Sequence, residues 1–482
     1  MSAEQAKSNV IFDYFNSILG APFSRSHSIR LDDLLPQLDL SGMDSCFSEQ
    51  EIWETINAMP SDRAPGPDGF TGLFYKTAWP TIKRDVMNAM NALWSLDARS
   101  FNLLNDAFMV LLRKNNAPTM LKDFRPIALI HSFGKLFAKC LARRLGPRMN
   151  EMVAHNQSAF IMNRAIHDNF RTVQLACRWL YSKKFPSILL KVDIAKAFDS
   201  VGWPFLLEVL QHLGFPRRYL DWISILLSTA STRVLVNGRP GRRISHARGL
   251  RQGDPISPML FVLVMEVLNS LIKEADRRAV LSPLPGQVVV HRASLYADDL
   301  VILLAPQVDD LVCLTQILQL FAGASGLVSN PDKCIATPIC CDADMIQAVQ
   351  AAFPCTISNF PCKYLGVPLS LRRLCRADEQ PLIDAVAARI LTWKAGMLTN
   401  AGRVTLTRST LSAIPIHLSI ACCLSAWAIS QIDKRRRAFV WTGNNSCSGG
   451  NCRLAWPAVC RPTDLGGLGL IDLRVAGYAL RL

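Results

Sequence analysis

The chain has 482 residues, half of them hydrophobic, and Lys plus Arg exceed Asp plus Glu by 53 to 38, which gives a formal net charge of +15. This excludes a disordered or fibrous protein and predicts two or more subdomains, because a single core stops growing near roughly 250 to 300 residues. The basic excess favours a polyanionic partner such as nucleic acid, although a basic surface kept only for solubility would have the same composition.

Fifteen cysteines are spread along the chain without a CxxC pair. This usage is typical of reduced thiols in an intracellular protein, nuclear or cytoplasmic, and not of a disulfide framework. Cys447, Cys452 and Cys460 could suggest a zinc site, but no His lies among them and their spacing fits no familiar zinc motif.

No targeting or membrane segment is expected. The first ten residues are polar, which argues against a signal peptide. The uncharged stretch 411–430 is long enough to span a bilayer, but it contains Pro415, His417 and four serines between basic flanks. We therefore expect a buried helix or helix pair there, and no membrane partner.

The first predicted elements are a short helix within residues 1–47 and a second helix that starts after Ser48. Ser48 as N-cap with Glu51 three residues later is a capping-box pattern. The loop that follows, SDRAPGPDGF, is irregular because it holds two prolines and two glycines. Arg63 and the free backbone amides of this loop could bind a phosphate, although a plain turn would look the same.

Residues 105–150 predict a strand, a basic loop, a second strand and a basic amphipathic helix that ends at Gly146 and Pro147. Strands joined by basic loops are typical of a subdomain that binds a nucleotide. Each charge taken alone could equally belong to a solvated basic face. The charges concerned are Arg113, Lys114, Lys122 and Arg125.

The segment SILLKVDIAKAFDSV predicts a buried strand that runs from about Ser187 to Asp193, followed by a helix that begins near Ala195. Asp193 would therefore lie at the end of an apolar strand. It could bind a metal ion there, or it could cap the following helix.

Residues 231–272 predict a hairpin with Asn237 and Gly238 in its turn, then a loop and an almost wholly apolar, buried helix. We expect Asp254 to be the N-cap of this helix and Pro255 its first residue. The loop offers side chains that can meet phosphate or a base, and glycines that permit close backbone approach. These residues are Arg248, Gly249, Arg251, Gln252 and Gly253.

The segment SLYADDLVILL predicts a tight hairpin with two adjacent carboxylates, Asp298 and Asp299, at its turn. Adjacent acids repel, so a site that keeps both ionised usually contains a cation, and carboxylates with no nearby His or Cys favour Mg²⁺ over Zn²⁺. With Asp193 as a third acid, the pattern predicts a two-ion site for attack of a hydroxyl on a nucleotide. A solvated hairpin turn is the alternative.

After this hairpin the sequence predicts an amphipathic helix that stops at Gly326, then Lys333 in the segment SNPDKC. A second short hairpin is expected at PCKYLGVPLSL. From about Ala377 onward the pattern is helical, with basic segments that include residues 433–437.

Taken in chain order, these blocks resemble the reverse transcriptases of non-LTR, LINE-type retrotransposons, most closely those of plants. The matching blocks are RAPGPDGF, DFRPIALIHSFGKLFAKCLARRL, HNQSAFIMNRAIHDNF, KVDIAKAFDSV, GLRQGDPISPMLF, LYADDLVI, SGLVSNPDKC and KYLGVPL. One block alone is weak evidence of kinship, but eight in the same order over nearly the whole chain leave little room for coincidence.

The resemblance implies an α+β fold, the right-hand polymerase with fingers, palm and thumb, in which a small antiparallel palm sheet is backed by helices. It divides the chain into an N-terminal extension (1–47), fingers (48–185), palm (186–370), a helical thumb (371–445) and a truncated C-terminal connection (446–482). Similar proteins continue beyond these limits. We therefore expect one piece of a larger polyprotein, without its endonuclease, ribonuclease H or zinc-binding regions.

The resemblance also assigns roles to residues. Asp193, Asp298 and Asp299 would hold two Mg²⁺ ions, which Mn²⁺ could replace. Phe198 would pack beneath the incoming sugar and exclude a 2′-hydroxyl, unless it is simply a core aromatic. Lys333 would protonate or neutralise the pyrophosphate leaving group, unless it is a solvated surface charge. The other expected substrate contacts are Arg125, Gln252, Tyr296 and Ala297, and the expected nucleic-acid contacts are Arg248, Arg251 and Gly253.

The implied activity is that of an RNA-directed DNA polymerase, in which a primer 3′-hydroxyl attacks the α-phosphate of a dNTP. The expected partners are an RNA template, a DNA primer and dNTPs, and the sequence leaves the oligomeric state open. Two alternatives remain: a catalytically silent, nucleic-acid-binding remnant of a decayed element, and an intron-maturase-like RNA-binding role. The second alternative would require a dedicated RNA-binding helical domain after the thumb.

Overall fold

The computed structural model describes residues 3–97, 99, 101–285, 290–390 and 397–481. Contacts between residues divide the chain into two compact units. Unit 1 contains residues 1–165 and 186–357, and unit 2 contains residues 166–185 and 358–482. The predicted limits of extension, fingers, palm, thumb and connection stay a prediction.

Unit 1 contains two sheets and most of the helices. Its strands are β1 (Asp106–Arg113), β2 (Phe124–Ile130), β3 (Ser187–Val192), β4 (Ser231–Val236), β5 (Arg239–Ser245), β6 (Ala293–Tyr296), β7 (Asp299–Leu304), β8 (Ile335–Ile339) and β9 (Thr356–Ile357). Its helices are α1 (Ala3–Leu19), α2 (Glu49–Asn57), α3 (Gly72–Trp94), α4 (Phe101–Leu104), α5 (Ser132–Leu145), α6 (Met149–Met152), α8 (Ala197–Ser200), α9 (Trp203–His212), α10 (Arg217–Ser228), α11 (Ser257–Arg277), α12 (Val308–Ser325) and α13 (Ala343–Ala352).

The first sheet has five strands in the order β6-β7-β3-β8-β9. The pairs β6/β7, β7/β3 and β3/β8 are antiparallel, as predicted, and the short edge pair β8/β9 is parallel. Strands β3 and β7 are mostly apolar because they lie inside the sheet and are buried over most of their length. The largest core cluster of unit 1 joins this sheet to α9, α11 and α12.

Helix α11 is largely buried, with apolar side chains on nearly every face. The prediction that Asp254 caps it and that Pro255 begins it is wrong, because the helix begins at Ser257. The Asp254 carboxylate instead accepts a hydrogen bond from the Ile256 N–H at 3.1 Å and pairs with Arg251. These contacts fix a turn in the loop, so the helix starts only after it.

Other end signals are confirmed. The Ser48 hydroxyl accepts a hydrogen bond from the Glu51 N–H at 3.1 Å at the start of α2. Helix α12 ends at Gly326, whose φ of 83° is the left-handed conformation that favours glycine.

The second sheet has four strands in the order β2-β1-β4-β5. Antiparallel β1 and β2 flank the predicted basic loop, and β1 pairs with β4 in parallel. Asn237 and Gly238 form the predicted turn between β4 and β5, with φ of 50° and 80°. Helix α1 covers this sheet, and a small cluster joins the two: Phe15, Ile18, Leu19, Met109, Val234 and Ile244.

Unit 2 is mainly helical. Its helices are α7 (Ile166–Ser182), α14 (Arg376–Ile390), α15 (Asn400–Leu406), α16 (Ile416–Ala421), α17 (Ala426–Thr442), α18 (Trp456–Val459) and α19 (Leu473–Ala479), with a π-helical turn at Thr407–Leu411. The predicted hairpin is present as β10 (Cys362–Tyr364) and β11 (Val367–Leu369). Helices α14 and α17 share a core with Leu411 and Leu473.

The stretch 411–430 forms helical pieces, as expected: the end of the π-helical turn, α16 and the start of α17. Among the described residues, no helix is both long and apolar enough to cross a membrane. The Sγ atoms of Cys447 and Cys452 lie 3.4 Å apart, but within the described ranges no three Cys, His, Asp or Glu side chains are grouped closely enough to hold a metal ion.

Candidate active site

Asp193 and Asp299 face each other at one end of the five-stranded sheet. Strand β3 ends at Val192, which pairs with Leu300 of β7. The next position along this ladder places Asp193 opposite Asp299, the first residue of β7. Opposite residues of antiparallel strands have Cα atoms about 4.5 to 5.5 Å apart, so the register brings these two acids to the same end of the sheet. Their role as ion ligands stays a prediction.

Asp298 lies at the tip of the adjacent hairpin. Strands β6 and β7 are joined by only two residues, Ala297 and Asp298, with Tyr296 paired to Asp299. Asp298 is exposed on one side and surrounded by protein on the other. This partial burial raises the pKa of its carboxyl, and the negative charges of Asp299 and Asp193 raise it further. The three carboxylates therefore interact as one cluster of like charge.

Two lysines offset part of this negative charge. The Lys191 ammonium lies 3.1 Å from an Asp299 carboxylate oxygen. The Lys333 ammonium lies 3.8 Å from an Asp193 carboxylate oxygen and remains 69% exposed. Arg125 on β2 acts in the same direction, because its charge lowers the pKa of Asp298.

The backbone around Asp193 is held by the segment that follows α12. The Asn330 N–H donates to the Asp193 carbonyl oxygen at 2.8 Å, and the Ala195 N–H donates to the Val328 carbonyl oxygen at 2.9 Å. The alternative in which Asp193 caps a helix is wrong, because α8 begins at Ala197 and its N-cap is Lys196. The Asp193 carboxylate is therefore not used as a helix cap and can take part in the carboxylate cluster.

The chemistry of this cluster suits a divalent cation such as Mg²⁺. Its donors are carboxylate oxygens, and their mutual repulsion is what a bound cation would relieve. The carboxylates of Asp299 and Asp193 turn toward Lys191 and Lys333. This is in keeping with the finding that no set of three ligand side chains in the described part of the chain is already drawn together around one point.

Phe198 lies close to the acids along the chain, in the short helix α8. It is half-buried, and its ring stacks on Phe261 of α11 with centroids 4.5 Å apart and planes inclined by 17°. Its carbonyl oxygen accepts a hydrogen bond from the Leu250 N–H at 2.7 Å. The core thus supports the Phe198 ring but does not enclose it. A residue that touches a substrate must remain accessible in this way.

Gln252 and Gly253 lie against strand β2. The Ala128 N–H donates to the Gln252 carbonyl oxygen at 2.8 Å. Gly253 has a φ of 112°, and a Cβ at this position would stand 2.7 Å from the Ala128 carbonyl oxygen. The loop can therefore approach β2, which also carries the exposed Arg125, only with glycine at position 253.

The predicted nucleic-acid contacts of Arg248 and Arg251 are not supported by their positions. Arg251 is buried, and its guanidinium donates to the Asn105 carbonyl oxygen at 2.9 Å and to the Asp254 carboxylate at 3.3 Å. The Arg248 guanidinium donates to the Ile18 carbonyl oxygen at the end of α1 at 2.6 Å. Both guanidinium groups donate to backbone carbonyl oxygens of other segments, so both side chains hold parts of the protein together.

The sequence reasoning missed Gln157, which lies in the block HNQSAF. Its side-chain oxygen accepts a hydrogen bond from the Ala297 N–H at 3.1 Å, in the turn that carries Asp298. No local pattern could reveal this contact, because 140 positions separate the two residues.

A sheet with acids at one end and helices behind it is compatible with two-ion transfer of a nucleotide. Comparison with known sequences defines the class further. The chain belongs to the reverse transcriptase (RNA-dependent DNA polymerase) family, whose profile matches residues 112–369. This confirms the resemblance and the fold class expected from the sequence.

Curated relatives come from retrotransposons without long terminal repeats. The chain is 27% identical to an uncharacterized 149 kDa protein of transposon TX1 from Xenopus laevis, over 90% of this chain and 32% of that protein. It is 25% identical to the Pol polyprotein of a type-2 retrotransposable element from Drosophila melanogaster, over 98% of this chain and 43% of the polyprotein. The RNA-directed DNA polymerase of the mobile element jockey, also from Drosophila melanogaster, is 23% identical over 59% of this chain and 29% of its own length. The chain thus spans less than half the length of these relatives.

Proposed function

We propose that this chain is an RNA-directed DNA polymerase that extends a primer 3′-hydroxyl with dNTPs. The observation that carries the proposal is the register of β3 and β7, which sets Asp193 opposite Asp299 with Asp298 in the adjoining turn. The three acids come from separate blocks of the sequence, and all of them lie within the part of the chain that matches the reverse transcriptase family.

In this proposal Asp193, Asp298 and Asp299 hold two Mg²⁺ ions. Bound Mg²⁺ would lower the pKa of the attacking hydroxyl and neutralise charge on the departing pyrophosphate. To bind the ions, Asp299 and Asp193 must turn from the ammonium groups of Lys191 and Lys333 toward Asp298. Ligation also requires Asp298 to be deprotonated, and its raised pKa makes this easier as the pH rises.

Other side chains would bind and orient the dNTP. Arg125, which is exposed on β2 and acts on the charge of Asp298, would bind the triphosphate. Lys333 is mostly exposed beside Asp193 and would give a proton to the pyrophosphate or neutralise it. The Phe198 ring, braced by Phe261, would exclude the 2′-hydroxyl of a ribonucleotide. Gln252 would meet the template and the incoming base, and Tyr296 and Ala297 would line the site from the hairpin.

The proposed nucleic-acid partners are an RNA template and a DNA primer, held mainly through their phosphates by the basic surface of the chain. Gly253 would let the backbone approach the duplex. Since these substrates occur inside cells, we also propose an intracellular location, nuclear or cytoplasmic.

The first prediction is that Asp298→Asn abolishes synthesis of cDNA. The change removes an ion ligand and also relieves repulsion among the acids, so folding and RNA binding should stay close to wild type. Primer extension on an RNA template, with and without Mg²⁺, measures the activity. Loss of one ligand should reduce the rate by at least about 100-fold.

Asp309→Asn is the matched control. Asp309 is exposed at the start of α12, so this substitution removes one negative charge outside the cluster. It should extend primers like the wild type. Extension by Asp298→Asn near the wild-type rate would contradict the site. A folded wild-type chain that binds RNA but makes no cDNA would instead support a silent remnant.

A further inference from the structure

Residues 156–159 lie beside β6, where Gln157 forms an isolated parallel bridge with Leu295. The Leu295 N–H donates to the Asn156 carbonyl oxygen at 2.8 Å, and the Ser158 N–H donates to the Leu295 carbonyl oxygen at 3.4 Å. The Asn156 side chain also donates to the Ala293 carbonyl oxygen at 2.9 Å, at the start of β6. The segment is therefore fixed to the hairpin that carries Asp298.

Within this segment, the side chain of Gln157 reaches the turn itself. It is only 1% exposed. Its Oε1 accepts two backbone hydrogen bonds, from the Ala297 N–H at 3.1 Å and from the Ala159 N–H at 3.0 Å. Both partners are donors, so the orientation of the amide is fixed, because the reverse orientation would set an NH₂ group against two N–H groups.

The backbone that Gln157 holds is strained. Ala297 has a φ of 54°, in the left-handed region that costs free energy for a residue with a Cβ. The hydrogen bond from its N–H to a buried acceptor offsets part of this cost. Because Asp298 is the next residue, the conformation of Ala297 sets the direction in which the Asp298 carboxylate points.

Glutamine is favoured at this position by its oxygen, because Oε1 accepts hydrogen bonds from two backbone N–H groups. Its Nε2 is buried and has no hydrogen-bond partner among the described residues, and an unsatisfied buried donor is unfavourable. Methionine would fill a similar volume without such a donor, but it would leave the Ala297 and Ala159 N–H groups without this acceptor. The benefit of glutamine therefore lies in its oxygen, which is the atom that touches the turn.

We propose that Gln157 is a positioning residue that orients Asp298 for ion binding, an inference that rests on the proposed function. It acts through the backbone of Ala297 and touches neither the ion nor the substrate. Gln157→Met should therefore weaken ion binding while the chain stays folded. Partners one shell away from an ion typically change its affinity by roughly 10- to 100-fold, and we expect a loss in this range.

The test uses Mn²⁺ as a paramagnetic probe, with its binding to the full chain measured by electron paramagnetic resonance. Three variants are compared with the wild type. Gln157→Met removes the accepting oxygen, whereas Gln157→Glu keeps an accepting oxygen and should bind Mn²⁺ no more weakly than the wild type, because an added carboxylate attracts a cation. Gln174→Met, which replaces a buried glutamine on α7 of unit 2, should bind Mn²⁺ like the wild type.

Hydrogen exchange gives a second measurement that does not depend on activity. The Ala297 amide should exchange faster in Gln157→Met than in the wild type, because its acceptor is gone, and Gln157→Glu should protect it. A folded Gln157→Met protein with wild-type Mn²⁺ affinity would overturn the inference, as would a wild-type chain that binds no Mn²⁺. If the wild type binds Mn²⁺ but makes no cDNA, only the proposed activity fails, and the comparison of variants still decides the role of Gln157.

Discussion

Glu266 lies on the buried helix α11, and this burial changes the pKa of its carboxyl. The residue is 5% exposed, and one carboxyl oxygen accepts a hydrogen bond from the Asn269 side chain at 3.0 Å. Burial raises the pKa of Glu266 to about 7, and the charges of Lys273 and Arg164 offset this only in part. An ionised Glu266 is therefore unfavourable in the folded chain.

The resulting prediction concerns stability and pH. Because the folded pKa lies above the ordinary value of 4.5, Glu266 reduces stability as the pH rises from about 4.5 to about 7, and the loss persists above pH 7. Gln cannot ionise, so Glu266→Gln should gain on the wild type by on the order of 3 kcal/mol across this window. Urea unfolding at several pH values measures the difference.

Glu49→Gln provides the control, because Glu49 is exposed on α2 and its exposed ion pair with Lys83 contributes little to stability. Its free energy of unfolding should follow that of the wild type at every pH. If Glu266→Gln and the wild type show parallel pH dependence, Glu266 is not the group responsible.

Single residues also show what the sequence could predict about the site. Asp193, Asp298 and Asp299 were predicted from the sequence because each lies at or next to the end of an apolar strand, which is a local pattern. Arg251 and Gln157 could not be interpreted this way. Their partners, Asn105 and Ala297, lie more than a hundred positions away, and only the folded chain brings them together.

At the scale of elements, the junction between β2 and the loop before α11 depends on Gly253. Gly238, in the β4–β5 turn, also has a positive φ, but a Cβ there would meet nothing within 4 Å. At Gly253 the Cβ would stand 2.7 Å from the Ala128 carbonyl oxygen. A side chain at position 238 would therefore meet only the cost of the backbone conformation. A side chain at position 253 would meet that cost and a steric clash as well.

We predict that Gly253→Ala is more damaging than Gly238→Ala. Gly238→Ala should lose roughly 1 to 2 kcal/mol of stability from its left-handed backbone alone. Gly253→Ala should lose about 1 to 3 kcal/mol more, as overpacked sites do, and primer extension should fall because Gln252 moves from β2. Chemical unfolding and primer extension of both variants provide the comparison, and equal losses would refute the role given to this contact.

The elements themselves followed the sequence where the signals were local. The hairpin around Ala297 and Asp298, the N-cap Ser48 and the stop at Gly326 are all as predicted. The start of α11 was not, because Asp254 bonds within its own loop and to Arg251, which in turn binds Asn105. A propensity for capping cannot reveal that Asp254 is paired with an arginine that a distant residue, Asn105, holds in place.

For the whole molecule, the formal net charge of +15 predicts strongly salt-dependent binding of nucleic acid. A surface that neutralises about five phosphates of a single strand would lose roughly two orders of magnitude in affinity between 50 and 200 mM salt. Fluorescence anisotropy of a labelled RNA–DNA primer-template measures this slope.

Asp298→Asn should give the same slope as the wild type, because it changes one charge near the ions and none of the basic residues. Affinity that is independent of salt would show that phosphate contacts do not dominate binding.

The path of the chain through the two units limits how the protein can be shortened. The backbone leaves unit 1 after residue 165, returns at residue 186 and leaves again after residue 357. A fragment cut at residue 357 would still carry α7, whose apolar face includes Phe170, Val173 and Leu180, after losing the rest of the unit that buries it. Such a fragment would expose this apolar face and tend to aggregate. Truncation from the C-terminal side should therefore give insoluble protein unless α7 is replaced by a linker.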